Sequence, residues 1–233
     1  MTSEADEQSS LAARLSAIDE RIADAARDAG RDPAEISRIV VTKFHPASLV
    51  EELHALGVAD VGENRQQELS AKQAELSALD LRWHFIGQGQ TNKASAIRRS
   101  ADVVHSVDRD RFADALHRAA VDDDVLDVLV QVNLTDDAGR GGVVPEQARA
   151  LAEHVLALPS LRLRGVMAVA PLDEEPASAF TRLRTVSDEI RAVEPSATWI
   201  SAGMTGDFVE AIAAGATHLR IGSAITGPRP DRG

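Results

Sequence analysis

Eight short apolar runs recur along this chain, each separated from the next by a segment of helical period, and that alternation constrains the fold more than any single motif. The spacing predicts strands at Arg38–Thr42, Ala59–Gly62, Arg82–Ile86, Val103–Val107, Leu126–Val132, Arg164–Val169, Thr198–Ser201 and His218–Ile221. Helical periodicity lies between them at Leu49–Leu56, Gln66–Leu76, Asn92–Arg99, Arg111–Val121, Pro145–Ala157, Ala177–Val193 and Asp207–Ala214. Buried strands alternating with helices across short connections imply a parallel sheet with the helices outside. Eight repeats suit closure into a (β/α)8 TIM barrel better than an open sheet. Ahead of the first strand, Leu11, Leu15, Ile18, Ile22 and Ala26 form a stripe of helical spacing that ends at Gly30, so residues 11–30 read as an extra N-terminal helix on the outside or bottom of the barrel. No linker or repeat divides the chain. Residues 1–233 are therefore expected to form one domain, with the polar residues 1–10 disordered.

Composition removes several chemistries. With 233 residues and 44% hydrophobic content the chain can bury a sizeable core. It has no cysteine, which excludes disulfides, thiolate nucleophiles and zinc–cysteine sites, and its seven histidines show no metal-ligand spacing. The net charge of −12 argues against nucleic acid as the main partner. No apolar run approaches a membrane span, and the acidic start is unlike a secretory signal, so a soluble cytoplasmic protein is expected. No apolar segment is left over once the elements are assigned, which suggests a monomer. The basic pair Arg98–Arg99 and the acidic run Asp122–Asp124 receive no function; the acidic run reads as a solvated loop.

Lys43 ends the first strand, just before Pro46 and a helix. A strand-end lysine is most often simply solvated. In barrels, however, the carboxyl ends of the strands carry the ligand site, and an amine there can serve as a phosphate-binding cation, a base or a Schiff-base former. Residues at the other strand ends would gather on the same rim: Glu63, Asn64, His84, Ser106, Asn133, Met167, Ser201 and Arg220. Ser201-Ala-Gly-Met204-Thr-Gly206 opens a helix with Asp207 and Glu210 at capping-box spacing and Gly215 at its end. Arg220-Ile-Gly222-Ser223 closes the eighth strand. Loops after strands seven and eight form the recurrent phosphate site of such barrels, so the ligand is expected to carry a phosphate. The stretches Gly87–Lys93 and Gly139–Gly142 lack Walker or dinucleotide spacing and read as flexible loops.

These residues resemble the pyridoxal phosphate homeostasis proteins, end to end. The motifs are Val-Thr-Lys at 41–43, Gly-Glu-Asn at 62–64, Trp-His-Phe-Ile-Gly at 83–87, Gln-Thr-Asn-Lys at 90–93, His-Ser-Val-Asp at 105–108, Arg-Gly-Val-Met at 164–167, Ser-Ala-Gly-Met-Thr-Gly-Asp at 201–207 and Arg-Ile-Gly-Ser-Ala-Ile at 220–225. The resemblance implies a single barrel similar to the alanine racemase N-terminal domain, holding pyridoxal 5′-phosphate (PLP). By similarity Lys43 forms the internal aldimine, Ser201, Gly222 and Ser223 bind the phosphate, Arg220 faces the pyridine nitrogen, and Asn64, His84 and Met204 line the pocket. The implied role is storage, buffering or delivery of the cofactor, with PLP-dependent apoenzymes as the expected recipients and no established turnover. The chain departs from the commoner pattern at Arg65, where tyrosine is usual, at His45, which replaces a frequent lysine, and at Arg140, where many relatives have lysine. Arg140 cannot form an imine, which puts in question any role of that position in passing the cofactor on.

An arginine at the ring nitrogen favours its unprotonated form and so weak carbanion stabilisation, although racemases tolerate the same arginine. A racemase of this fold takes its second acid/base, a tyrosine, from an additional β-domain; this sequence has no tyrosine and ends shortly after its eighth strand. Binding without turnover is thus the expected function. The alternatives are a weak PLP-dependent amino-acid racemase or decarboxylase, and a lyase that uses Lys43 directly on a phosphorylated sugar.

Overall fold

In a computed structural model, described over residues 10–228, eight parallel strands pair in chain order and the eighth returns to the first, closing a barrel. The strands are β1 Ser37–Val41, β2 Asp60–Glu63, β3 Arg82–Phe85, β4 Val103–Val107, β5 Leu126–Gln131, β6 Leu161–Met167, β7 Trp199–Ser201 and β8 His218–Ile221. The helices are α1 Leu11–Asp28, α2 Ala47–Ala55, α3 Gln66–Glu75, α4 Ala94–Ser100, α5 Asp110–Arg118, α6 Pro145–Leu156, α7 Pro176–Arg191, α8 Phe208–Ala213 and the single turn α9 Ser223–Thr226. The expected (β/α)8 barrel with an extra N-terminal helix is what forms. Among the described residues no helix is long and apolar enough to cross a membrane.

Period-2 alternation decides what each strand shows to which side. Val40, Val61, Phe85, Val104, Val128 and Val166 are buried against the helices in one continuous core. Inside the barrel, Val103, Leu129 and Met167 form a small separate cluster with Trp199. Ile39 of β1 also faces inward, and polar residues fill much of the rest: His84, His105, Ser201, His218 and Arg220 are all buried.

Helix α1 begins at Ser10, whose hydroxyl accepts from the Ala13 N–H at 3.1 Å, and buries Leu15, Ile18 and Ile22. It packs on α8 and α9, on the barrel's flank, and ends at Asp28. The disorder expected for residues 1–10 otherwise falls outside the described residues.

Most predicted boundaries hold to within two residues; the sixth strand starts three residues early, at Leu161. Arg162 interrupts the apolar run ahead of the expected start at Arg164, yet both arginines reach Asp127 at the amino end of the barrel: Arg162 Nε lies 2.5 Å and Arg164 Nε 3.8 Å from its carboxylate, beside Arg82 at 2.8 Å. Arg82 and Arg164 also lie over Trp199, 4.9 and 4.3 Å from the ring centre. Gly165 takes φ +148°, and a Cβ there would fall 1.9 Å from the Trp199 carbonyl oxygen, so only glycine lets β6 and β7 approach.

Arg98, half of the basic pair without an assigned function, is buried and structural. Its guanidinium donates to the carbonyls of Leu116 at 3.2 Å, Asp124 at 2.6 Å and Ser160 at 3.2 Å, tying the end of α5 to the segments that lead into β5 and β6. Arg98→Ala leaves these carbonyls without their donor and is expected to cost about 2–4 kcal/mol, read as a lowered urea midpoint with an unchanged m-value.

Candidate functional site

A cavity of about 560 Å³ opens at the carboxyl end of the barrel, lined by Lys43, His45, Met204, Thr205, Arg220, Gly222 and Ser223 among others. Its size is that of a small-ligand site. The named groups come from the ends of three strands, β1, β7 and β8, which is how a barrel assembles a site.

Lys43 lies two residues past β1 and is exposed in the cavity mouth. Both of its neighbours are held by acidic residues of the β2–α3 segment. On one side the Thr42 hydroxyl donates to Glu63 Oε1 at 2.7 Å, and Lys72 Nζ bridges that oxygen at 2.5 Å and the Thr42 carbonyl at 2.9 Å. On the other side Phe44 adopts φ +70°, a left-handed conformation costing a non-glycine residue about 1–2 kcal/mol. Glu68 Oε2 accepts the Phe44 N–H at 2.9 Å, and the Arg65 guanidinium sits 5.0 Å from the Phe44 ring. The chain thus reverses immediately after Lys43, with His45 N–H bonded back to the Thr42 carbonyl at 3.1 Å. Burial pushes the Glu63 carboxyl above its ordinary range, opposed by the Lys72 charge. Burial, then the Lys72 charge, lowers the His45 imidazole.

The loop after β7 is folded on itself. Gly203 has φ +90°, and a Cβ there would lie 2.8 Å from that of Ala211, so the loop needs glycine to sit against α8. The expected capping box is not made: Asp207 Oδ1 instead accepts the Met204 N–H at 2.6 Å, because the Asp207 backbone is not in capping geometry, and the bond rounds off the 204–207 turn. Gly215, at φ +102°, does end α8, with the Ala216 N–H bonded to the Ala211 carbonyl at 2.8 Å.

Arg220 rises from β8 to the cavity floor. Its Nη1 donates to the Ser201 carbonyl and hydroxyl, both at 2.7 Å, and Nη2 to the Ala168 carbonyl at 2.8 Å. Burial lowers its pKa to about 10, opposed by Asp207, so it stays charged at neutral pH. Below it Ser201 Oγ meets His105 Nδ1 at 2.9 Å, His105 Nε2 meets His84 Nδ1 at 2.9 Å, and His84 Nε2 meets Asp60 Oδ1 at 2.8 Å. Burial first, then neighbouring positive charge, drives His105 well below the ordinary imidazole value and His218 to about 3; burial also lowers His84, against the opposing pull of Asp60.

The sign of the pH effect follows. A histidine depressed by folding adds stability that is intact above its unfolded pKa near 6.5 and is lost as pH falls, because only the unfolded chain takes up the proton. Stability is expected to fall by several kcal/mol between about pH 6.5 and pH 4, seen as a steadily decreasing urea midpoint. A midpoint flat across that range would show that the three imidazoles do not stay neutral in the fold.

The structure brings Lys43, Met204, Arg220, Gly222 and Ser223 to one cavity. Ser201 is fully buried with its hydroxyl engaged by Arg220 and His105, so it reaches the cavity through Arg220 rather than facing the phosphate-type loops. His84 lies deeper in the barrel, and Asn64 lines a neighbouring cavity of about 500 Å³ with Arg65, Gln88, Gln90 and Lys93. On β4 it is His105 that points inward, while the Ser106 hydroxyl is buried without a partner. Asn133 shapes its own turn, its Oδ1 accepting the Thr135 N–H at 2.9 Å, and Met167 packs in the barrel interior. His105, Asp60, Phe44, Glu68 and Lys72 are not among the site residues expected from sequence. His105 and Asp60 did carry a signal: each is a polar residue in or at the edge of a short apolar run.

The sequence model for the alanine racemase N-terminal domain matches residues 14–230. The pyridoxal phosphate homeostasis protein of Pseudomonas aeruginosa is 43% identical over 225 residues, covering 95% of this chain and 96% of the relative. The chain belongs to the pyridoxal phosphate homeostasis proteins. A homeostasis protein of Mycobacterium tuberculosis is 40% identical over 244 residues, covering 96% of this chain and 95% of the relative. Among solved structures, PipY of Synechococcus elongatus with PLP bound is 35% identical, with a TM-score of 0.82 over 94% of this chain and all of that one. Alanine racemase of Corynebacterium glutamicum, at 16% identity and a TM-score of 0.69 over 92% of this chain and 61% of that one, shows that the homeostasis proteins share its barrel fold.

Proposed function

We propose that this protein binds pyridoxal 5′-phosphate in the cavity at the carboxyl end of the barrel, with Lys43 as the covalent attachment point. Its role on this reading is intracellular PLP homeostasis: storing, buffering or delivering the cofactor to PLP-dependent apoenzymes. The carrying observation is the meeting of an amine, a guanidinium and two loops of small polar residues in one cavity. A PLP-bound structure of a relative supports it.

When bound, PLP brings an aldehyde that an amine can capture, a phosphate and a heteroaromatic ring. The residues present fit those groups. Lys43 is the single lysine lining the cavity: the sequence has only two others, and Lys72 is buried against Glu63 while Lys93 lines the neighbouring cavity. Gly222 leaves the backbone open on the cavity side, since a Cβ there would meet only Val41 atoms, at 3.7 Å and beyond. Ser223 and Thr205 add hydroxyl donors beside it. Arg220 supplies a permanently charged donor for the ring nitrogen, and Met204 an apolar wall.

Binding rather than turnover is supported by the same arginine, which does not protonate the ring nitrogen, and by the absence of tyrosine from the sequence. Exchange of solvent deuterium into amino-acid α-carbons would instead favour a weak racemase or decarboxylase. Borohydride trapping of a sugar phosphate without added cofactor would favour the lyase. We further propose that the protein acts in the cytoplasm and as a monomer. The deciding experiment is borohydride reduction of the PLP-incubated protein followed by peptide mass mapping, with the label expected on the peptide containing Lys43.

A further inference from the structure

Four hydrogen bonds run through the barrel without a break, linking Asp60, His84, His105, Ser201 and Arg220 at 2.7–2.9 Å. Counting protons fixes the direction of each. A guanidinium only donates, so Ser201 Oγ accepts from Arg220 and keeps its own proton and one lone pair for the contact with His105 Nδ1. A neutral His105 that accepts at Nδ1 carries its proton on Nε2 and donates to His84 Nδ1. His84 then carries its proton on Nε2 and donates to Asp60, whose carboxylate only accepts. The Asp60 end decides the last direction: with His84 donating to the carboxylate and accepting from His105 Nε2, a neutral His105 accepts at Nδ1, so the Ser201 hydroxyl donates there. Burial disfavours a charge on either imidazole, which agrees with both being neutral.

We propose that this chain positions Arg220 for its cofactor contact: Asp60, at the amino end of the barrel, acts through two histidines of one tautomer and Ser201 to fix the guanidinium's donor face. The inference rests on the reading that Arg220 meets the ring nitrogen of PLP. Three of the five Arg220 N–H groups are held by Ser201 and Ala168, leaving two for the cavity it lines. The nearest carboxylate charge acting on Arg220 is that of Asp207, which opposes the effect of its burial. Asp60, His84, His105 and Ser201 are positioning residues, since none of them lines the cavity.

The test has two readouts. Long-range ¹H–¹⁵N correlation spectra of the ligand-free protein at pH 7.5 are expected to show His84 and His105 neutral and protonated on Nε2; an Nδ1–H tautomer or an imidazolium at either overturns the chain. Asp60→Ala is then expected to shift the ring ¹⁵N resonances of His105, which Asp60 does not touch, and to weaken PLP binding about tenfold while Lys43 still takes the borohydride label. Asp60→Asn, which keeps an acceptor oxygen, is expected to restore affinity to within about twofold of the unchanged protein. Unchanged His105 resonances together with unchanged affinity in Asp60→Ala overturn the proposal. Absence of any label on Lys43 in the unchanged protein sinks the cofactor reading, and the role of the chain with it; a wrong tautomer sinks the chain alone.

Discussion

Lys43→Ala is expected to abolish covalent capture of PLP completely. Only three lysines occur in the sequence, and only Lys43 lines the cavity that also holds Arg220, Gly222 and Ser223. Lys72 has its ammonium 2.5 Å from Glu63, deep in the fold, and Lys93 stands in the neighbouring cavity. Removing Lys43 therefore leaves no amine in position, and neither the visible absorption of lysine-bound cofactor nor a reducible label should survive. The ring and phosphate contacts remain, so weak reversible binding is expected to persist and to be measurable by equilibrium dialysis. Lys93→Ala is the control, and it should take the label as the unchanged protein does. Full labelling of Lys43→Ala would mean that the capturing amine lies elsewhere.

Lys72→Met is expected to be among the most destabilising single changes, at about 3–5 kcal/mol, because it removes one partner of a buried ion pair and leaves the other uncompensated. Glu63 is fully buried, and one of its oxygens already lacks a hydrogen-bond partner. With Lys72 gone, only the Thr42 hydroxyl remains on that carboxylate, and its pKa, already raised by burial, rises further. A raised carboxyl adds stability that is complete below its unfolded pKa and is lost as pH rises through its folded pKa. The deficit of Lys72→Met should therefore be largest at neutral pH and shrink on acidification, opposite in sign to the histidine effect. The double change Lys72→Met/Glu63→Gln should recover most of the loss, since no unpaired charge is left. A deficit independent of pH, with no recovery in the double variant, would show that the pair matters only as packing. Because the pair also holds Thr42, Lys72→Met should weaken PLP capture at Lys43 in addition.

The barrel was legible because its signal is local and repeated. Each of the eight strands buries an outward row of residues under a helix, and each helix shows one apolar stripe, so the two periods alternate openly along the chain. Residues that line the cavity, Lys43, Met204, Arg220, Gly222 and Ser223, were legible as well, because strand ends and the glycine loops after β7 and β8 mark themselves in sequence. Where a charged residue interrupts an apolar run the boundary is lost: Arg162 masks the start of β6, because its charge is balanced by Asp127, 35 positions away.

The sequence by itself determined the barrel, the strand-end lysine and the loops suited to a phosphate, since each of these depends on the order and spacing of neighbouring residues. Only the tertiary structure decided how those groups are held. Glu68 reaches 24 positions back to the N–H of a left-handed Phe44, Lys72 neutralises Glu63 beneath Thr42, and Ser201 turns from the cavity to join Arg220 to His105, 96 positions earlier in the chain. Such partners are chosen by barrel closure, which sets side by side inside the barrel residues that no sequence period relates, and leaves each buried polar group to find its partner there.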